Sequence, residues 1–375
     1  MKTVFFGPWV GEFGWELVWW HGWVKKLCRT VYRDHHRVAA SYPGRTLFYP
    51  DVHEFWAHPA EFPGRSISQN SYVTDYWRSG YPRGNVTVRK KRLLVRDYFE
   101  RVPVTTEPQS DVEPVVLQLL RGYQARLPAD CEIVAPFRLN RCPLSGRSVG
   151  MDIAPHPISD GDFRNRPPRL EDQVFEPPIP SPEAGEYLRR ITGPTDSFIA
   201  LFPRARSLRR PDKNWPKEKY DELIARCHQR FPGHLIAILG EPGGAYYADG
   251  VPPGCLDLIN VDRVLRMDVQ VALLRRASVA IGGMSGAMLF ALACKCPSVI
   301  VGLAVQRSEY FRQNVLDTPL VYYPFIDADP ARVVALADGV LRGTIPPCNQ
   351  ACWDPNAYFG LGATIWGRLK LLRAQ

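Results

Sequence analysis

Short apolar runs, each followed by a polar or glycine-rich turn and then a segment of helical period, recur along most of the chain. Near the amino end, Thr3–Phe6 predicts a strand. Residues 16–27 predict a helix, with Leu17, Trp20, Val24 and Leu27 on one side. Residues 38–41 and 47–49 read as strands, 112–126 as a helix and 132–135 as a strand. The later half is more regular. Strands are predicted at 197–202, 235–239, 277–281 and 298–301, and helices at 216–231, 268–276, 285–293 and 329–341. In the 216–231 segment Tyr220, Leu223, Ile224 and Cys227 share a face. Strand and helix alternate, which is the pattern of a parallel, doubly wound sheet, and ligands in such sheets sit beyond the carboxyl ends of the strands.

Between Pro155 and Pro182 the chain is thick with Pro, Arg and Asp and shows no period, the composition of a linker. The resulting division is an α/β domain over 1–155, a Pro-rich linker over 156–182 and a Rossmann-like domain over 183–350. A final segment, 351–375, contains an apolar and basic helix at 365–372. The length of 375 residues agrees, because a single hydrophobic core stops growing below that size. No internal repeat is present.

Composition narrows the class. With 45% hydrophobic and 23% charged residues, and no apolar run of about 18 residues, the chain is expected to be a soluble, cytoplasmic globular protein. The opening Met1 to Gly7 breaks at Gly7-Pro8, too early for a signal-peptide core, and reads as a strand. Nine cysteines, of which only Cys294/Cys296 and Cys348/Cys352 are close in sequence, predict reduced thiols and no metal site. His21, His35, His36, His53 and His58 have no metal-ligand spacing. The net charge of +9 points to a polyanionic partner or a phosphate-bearing ligand. Its arginines concentrate in 83–101 and 204–210, which also suit plain solvated faces.

Four loops carry candidate chemistry. The turn Gly282-Gly283-Met284-Ser285-Gly286-Ala287 precedes a helix of small residues, so glycines and helix-start N–H groups offer a phosphate site with Ser285 as N-cap. The alternative is a tight strand-to-helix turn without a ligand, and the pattern is not a P-loop. The loop from Pro203 to Pro216 brings Arg204, Arg206 and Lys213, whose guanidinium forks and ammonium suit a diphosphate. The alternative is a basic surface loop. Trp215 there reads as a packing residue. Gly240-Glu241 follows a strand and suits a ribose hydroxyl, or is only a turn.

The fourth loop, Gly7 to Leu17, lacks the Gly-x-Gly-x-x-Gly spacing. It carries Glu12, a carboxylate suited to a general base, and Glu16, which either shares that role, caps the helix or faces solvent. Trp9, Trp15, Trp19, Trp20 and Trp23 read mainly as core, with stacking on a sugar or base as the alternative. No Gly-x-Ser-x-Gly elbow occurs.

Taken together, Gly11-Glu12, Lys213-Asn214-Trp215-Pro216, Gly240-Glu241 and Ser285-Gly286 resemble the GT-B glycosyltransferases, most nearly the heptosyltransferase-like family, glycosyltransferase family 9. The resemblance implies two Rossmann-like domains facing a cleft, with the last helix returning to the first domain. It implies Glu12 as base and Lys213, Ser285, Gly286 and Ala287 at the donor diphosphate, with Glu241 at the ribose. The chain departs from the family at Met284 and Leu289, where an acid and a histidine are usual.

The activity expected is inverting, metal-independent transfer of a sugar from a nucleotide diphosphate co-substrate, without further cofactor. The acceptor is anionic, a glycan or a hydroxylated DNA base, the latter tracked by Arg83, Arg89, Lys90, Lys91, Arg92 and Arg96. A polyanion-binding protein on a degenerate transferase scaffold and a sugar-nucleotide epimerase remain as alternatives.

Overall fold

The computed structural model describes residues 1–9, 13–59, 119, 122–123, 125–134, 173–206, 213–303 and 306–345. Glu12, the basic 83–101 cluster, most of the 112–126 helix and the 365–372 helix lie outside these residues.

Two parallel sheets organise the chain. The first has four strands: β1 (Thr3–Phe6), β2 (His36–Ser41), β3 (Glu54–Ala57) and β4 (Glu132–Val134), in the order β3-β2-β1-β4. The second has six: β5 (Phe198–Phe202), β6 (Leu235–Ile238), β7 (Cys255–Asp257), β8 (Ala277–Gly283), β9 (Ser298–Val301) and β10 (Leu320–Tyr323). Their order is β10-β9-β8-β5-β6-β7 and every pairing is parallel. Counted from β5, this is the 3-2-1-4-5-6 order of a dinucleotide-binding sheet, which reverses direction between β5 and β8. The first sheet reverses between β1 and β4 in the same way. Both faces of a parallel sheet are covered, so its strands are apolar throughout. All five residues of β5 and all four of β9 are buried.

The helices form where capping and periodicity agree. In chain order they are α1 (Phe13–Trp15), α2 (His21–Arg29), α3 (Pro182–Thr192), α4 (Lys217–Arg230), α5 (Arg266–Leu274), α6 (Gly286–Ala293), α7 (Arg307–Gln313) and α8 (Pro330–Leu341). Ser181 and Asp329 each precede a proline and accept a hydrogen bond from an amide of the first turn, at 3.1 Å from Ala184 and 3.0 Å from Ala331. α4 buries Tyr220, Leu223, Ile224 and Cys227, the stripe its sequence shows.

Several expectations are corrected. Residues 47–49 are not a strand. Thr46–Phe48 is a 3₁₀ turn, because the Phe48 and Tyr49 amides bond locally to Arg45 and Thr46, and β3 forms further on at Glu54–Ala57. The helix at 16–27 starts earlier, at Phe13, ends at Arg29 and contains a π-helical segment over Glu16–Trp20. Gly282 and Gly283 belong to β8 rather than to a turn. A side chain at Gly282 would begin 2.7 Å from Met288 Sδ and 2.9 Å from Phe202 Cβ, so this glycine permits close packing, not phosphate approach. β7, β10, α3 and α7 have sequence patterns too short or too mixed to be read.

The stretch from Gln173 to Ser181 straps both halves. The Val174 amide donates to Gly22 O at 3.0 Å and the Phe175 ring lies over Gly22, where a Cβ would sit 2.8 Å from it. Glu176 accepts two bonds from Arg29 at 2.7 Å and faces Lys25 at 3.6 Å. These cations, Arg29 foremost, hold the Glu176 carboxyl down at about 2. Past the prolines, Arg275 donates to Pro178 O at 3.1 Å and the Ser181 amide to Asp268 at 3.0 Å.

His21 and His58 are buried. His58 Nε2–H donates to Trp9 O at 2.7 Å while Nδ1 faces the Tyr123 hydroxyl at 2.8 Å, and His21 Nδ1 meets Glu16 O at 3.1 Å. Burial lowers both from 6.5 to about 3. Between those values the unfolded chain binds a proton that the native chain does not. Stability is therefore complete above about pH 6.5 and falls as pH drops towards 3, by about 1.4 kcal/mol per pH unit per histidine. Urea midpoints at pH 7.5, 6 and 5 check this, and His21→Gln should give a shallower fall.

Candidate functional site

In a sheet of this strand order the ligand crevice is expected where β5 and β8 end. Tyr220, buried in α4, ties the two strands together: its hydroxyl donates to Phe202 O at 3.1 Å and accepts from the Gly283 amide at 3.1 Å. Burial pushes that hydroxyl's pKa up, so it stays a neutral clasp. The Lys213 carbonyl passes close to Gly283, 3.5 Å from where a Cβ would stand. Asn214 folds the loop after β5 back on itself. Its Oδ1 accepts from the Arg206 amide at 3.1 Å and from the Arg204 guanidinium, and its Nδ2 donates to Arg206 O at 2.9 Å. Trp215 is buried edge-on against Tyr220 at 4.9 Å, a packing role as expected.

The loop after β6 is zipped to the loop after β5. Arg204 pairs with Ala245 in an antiparallel bridge, the Ala205 amide donates to Gly244 O at 2.9 Å and the Tyr246 amide to Pro203 O at 2.7 Å. Gly240 takes the left-handed φ of +139° that starts this turn, and Glu241 beside it is exposed. Arg204 is buried, while Arg206 and Lys213 are half-buried. The fold thus brings Arg204, Arg206, Lys213, Gly240 and Glu241 to the carboxyl ends of adjacent strands, with the Ser285-Gly286-Ala287 turn.

Ser285 stands at the N-cap of α6 with extended backbone, but its side chain makes no capping bond. The Oγ is buried and has no hydrogen-bond partner among the described residues. A buried hydroxyl left unmatched costs about 1–3 kcal/mol, which makes it a marker for a ligand atom. The backbone is fixed from the other side by the Tyr310 hydroxyl, which donates to Ser285 O at 3.1 Å. Met284 points into the core, its Sδ 3.3 Å from the Leu303 amide and 3.5 Å from the Tyr322 hydroxyl.

This turn is also where the two halves meet. A Cβ on Gly286 would begin 2.9 Å from Gly14 N, and one on Gly14 would begin 3.0 Å from Gly286 Cα. Phe13 sits edge-on to Phe48 at 5.6 Å and to Phe290 of α6 at 5.4 Å. Leu289 lies at the same seam, its Cδ1 3.5 Å from a Cβ built on Gly14.

Glu16 neither caps the helix nor faces solvent. It is fully buried, accepting from Ser41 Oγ and Tyr49 Oη at 2.5 Å each and from the Arg45 guanidinium. Three donors hold its two oxygens, and its burial keeps it away from solvent. Trp9 and Trp20 are buried and stacked at 6.0 Å, which removes them as platforms for a sugar. Ser41, Arg45, Tyr49 and Tyr220 escaped sequence reading because their partners are distant in the chain. Only Tyr220 left a signal, in the helical stripe. Among the described residues no cluster of three His, Cys, Asp or Glu side chains is placed to hold a metal. None of the described helices is long and apolar enough to cross a membrane.

The strand order is that of a nucleotide-binding fold. Among solved structures the chain is similar to E. coli ADP-heptose lipopolysaccharide heptosyltransferase II, at 13% identity, covering 92% of this chain and 99% of that one with a TM-score of 0.49. It is also similar to a family 9 glycosyltransferase from Veillonella parvula, at 11% identity, 91% and 97% coverage and TM-score 0.47. A spinosyn rhamnosyltransferase complexed with thymidine diphosphate matches at 13% identity, 92% coverage of both chains and TM-score 0.39. No family model matches the sequence. No curated protein matches it either.

The seam gives a direct test. Gly286→Ala forces two backbones apart and should cost about 1–3 kcal/mol in urea unfolding, despite the better helix propensity of alanine. Gly185→Ala in α3 meets nothing within 4 Å and should stabilise by about 0.4–1 kcal/mol.

Proposed function

We propose that the chain is a glycosyltransferase that moves a sugar from a nucleotide diphosphate to an acceptor hydroxyl with inversion and without a metal. The observation that carries this reading is the orphan Ser285 hydroxyl at the start of α6, at the strand-order reversal of a Rossmann sheet that also gathers Arg204, Arg206 and Lys213. Helix-start N–H groups and cations together stabilise the charge that develops on a departing diphosphate. Glu241, exposed after β6, is suited to the ribose hydroxyls. The bond from the anomeric carbon to the diphosphate oxygen breaks as the acceptor oxygen attacks from the opposite face. The diphosphate leaves with the electron pair, and Glu12 takes the acceptor proton. What supports Glu12 is its place in the chain: the residues that follow it, Phe13 and Gly14, lie against Phe290 and Gly286.

The donor is tested first. A panel of nucleoside diphosphates and their sugars at 100 times Kd should stabilise the protein by about 2.7 kcal/mol in thermal unfolding. Release of free nucleoside diphosphate from one of the sugars then identifies transfer, and the anomeric configuration of the product reads inversion. Lys213→Ala should weaken diphosphate binding about tenfold or more, and unchanged affinity removes Lys213 from the site. Glu12→Gln should cut turnover about 100-fold or more with donor affinity retained; full turnover in a folded variant removes Glu12 as base.

The net charge of +9 supports an anionic acceptor. Duplex DNA carrying hydroxylated bases and an acidic glycan are the two acceptors to compare. A steep loss of DNA binding with rising salt selects the first, and no DNA binding at low salt removes it.

A further inference from the structure

A buried ion pair in the first half is connected through one aromatic ring to the turn proposed to hold the diphosphate. Arg45 is 5% exposed and Glu16 is fully buried, and the guanidinium donates to the Glu16 carboxylate. The other carboxylate oxygen is held by Ser41 and Tyr49 at 2.5 Å each, so Arg45 is anchored to β2 and to the turn after it. The guanidinium carbon lies over two rings, 4.4 Å from the centroid of Tyr42 and 4.9 Å from that of Phe13. Phe13 in turn meets Phe290 of α6 at 5.4 Å, and the next residue, Gly14, touches Gly286.

Burying this pair costs several kcal/mol of desolvation, and an apolar core would be as stable without it. What an apolar side chain cannot do is fix the orientation of Phe13. The guanidinium is planar, held in place by the carboxylate, and stacks on a ring at a set distance. The π-helical segment begins at Glu16, whose carboxylate is fully buried.

We infer that Arg45, clamped by Glu16 and stacked on Phe13, is a positioning residue that sets the register of the Phe13-Gly14 backbone against the Ser285-Gly286 turn. It touches no reacting atom. Its effect on catalysis, which rests on the reading of Glu12 as base, passes through Phe13, the residue bonded to Glu12. An error of about 1 Å in such placement is enough to cost 100-fold in rate.

Arg45→Lys keeps the charge for Glu16 and removes the planar face. Phe13→Leu keeps an apolar side chain and removes the ring, and serves if the lysine variant does not fold. In native-state hydrogen exchange on the full chain, either variant should speed exchange of the Phe13 and Gly14 amides about tenfold, with α4 unchanged. Donor KM should stay within about threefold while kcat falls about tenfold or more. Exchange at Phe13 and Gly14 unchanged in both variants overturns the inference. So does a parallel loss of donor affinity and turnover, which is the mark of a merely structural role. Failure of the proposed function is read separately: the unmodified protein then binds no nucleoside diphosphate, and the exchange measurement still decides whether Arg45 positions this segment.

Discussion

At Gly14 and Gly286 two backbones from different halves of the chain meet with no space for a side chain on either. The rest of the arrangement is set by that approach. It places the start of α6, with its orphan serine hydroxyl, against the helix that follows the first strand. Phe13, Phe48 and Phe290 seal the same point, and their mutual edge-on contacts add apolar burial to what the glycines allow sterically. The Gln173 to Ser181 strap then ties the two sheets a second time, by charge at Glu176 and by backbone bonds at Pro178 and Ser181.

The chemistry of the crevice follows from strand order. A strand order that reverses between β5 and β8 leaves their carboxyl ends with loops that diverge, which is where sheets of this kind bind ligands. Tyr220 bonds both strand ends, while Asn214 and Ala245 hold Arg204 and Arg206 at the start of the loop after β5. Arg204 is therefore not a mobile surface arginine. It is a buried side chain bonded to Asn214 and fixed by an antiparallel bridge.

Glu16 illustrates how a carboxylate changes meaning with its surroundings. In the sequence it is one of two acids in a glycine-rich loop, and either suits a base. In the fold its oxygens are filled by Ser41, Tyr49 and Arg45. Burial, with the Glu16 charge next, drives the Tyr49 hydroxyl's pKa up, so the phenol stays a donor to the carboxylate. A group in that position fixes the orientation of its neighbours.

What the sequence determined by itself is local. The alternation of apolar runs with helical stripes was enough for a parallel α/β fold, because strands buried on both faces must be apolar throughout and helices must show a stripe of period 3.6. The stripe of α4, the Asp-Pro start of α8 and the small-residue helix after Ser285 were visible for the same reason. The tertiary structure decided everything that depends on distant partners. It drew Gly282 and Gly283 into a strand and buried Glu16. It also left Ser285 without the cap bond its position suggested. None of these is encoded within one turn or one strand. Glu16 is held by partners 25 to 33 residues away, and Gly282 packs against Phe202 of a neighbouring strand, so for these two the packing across the fold outweighs the local preference.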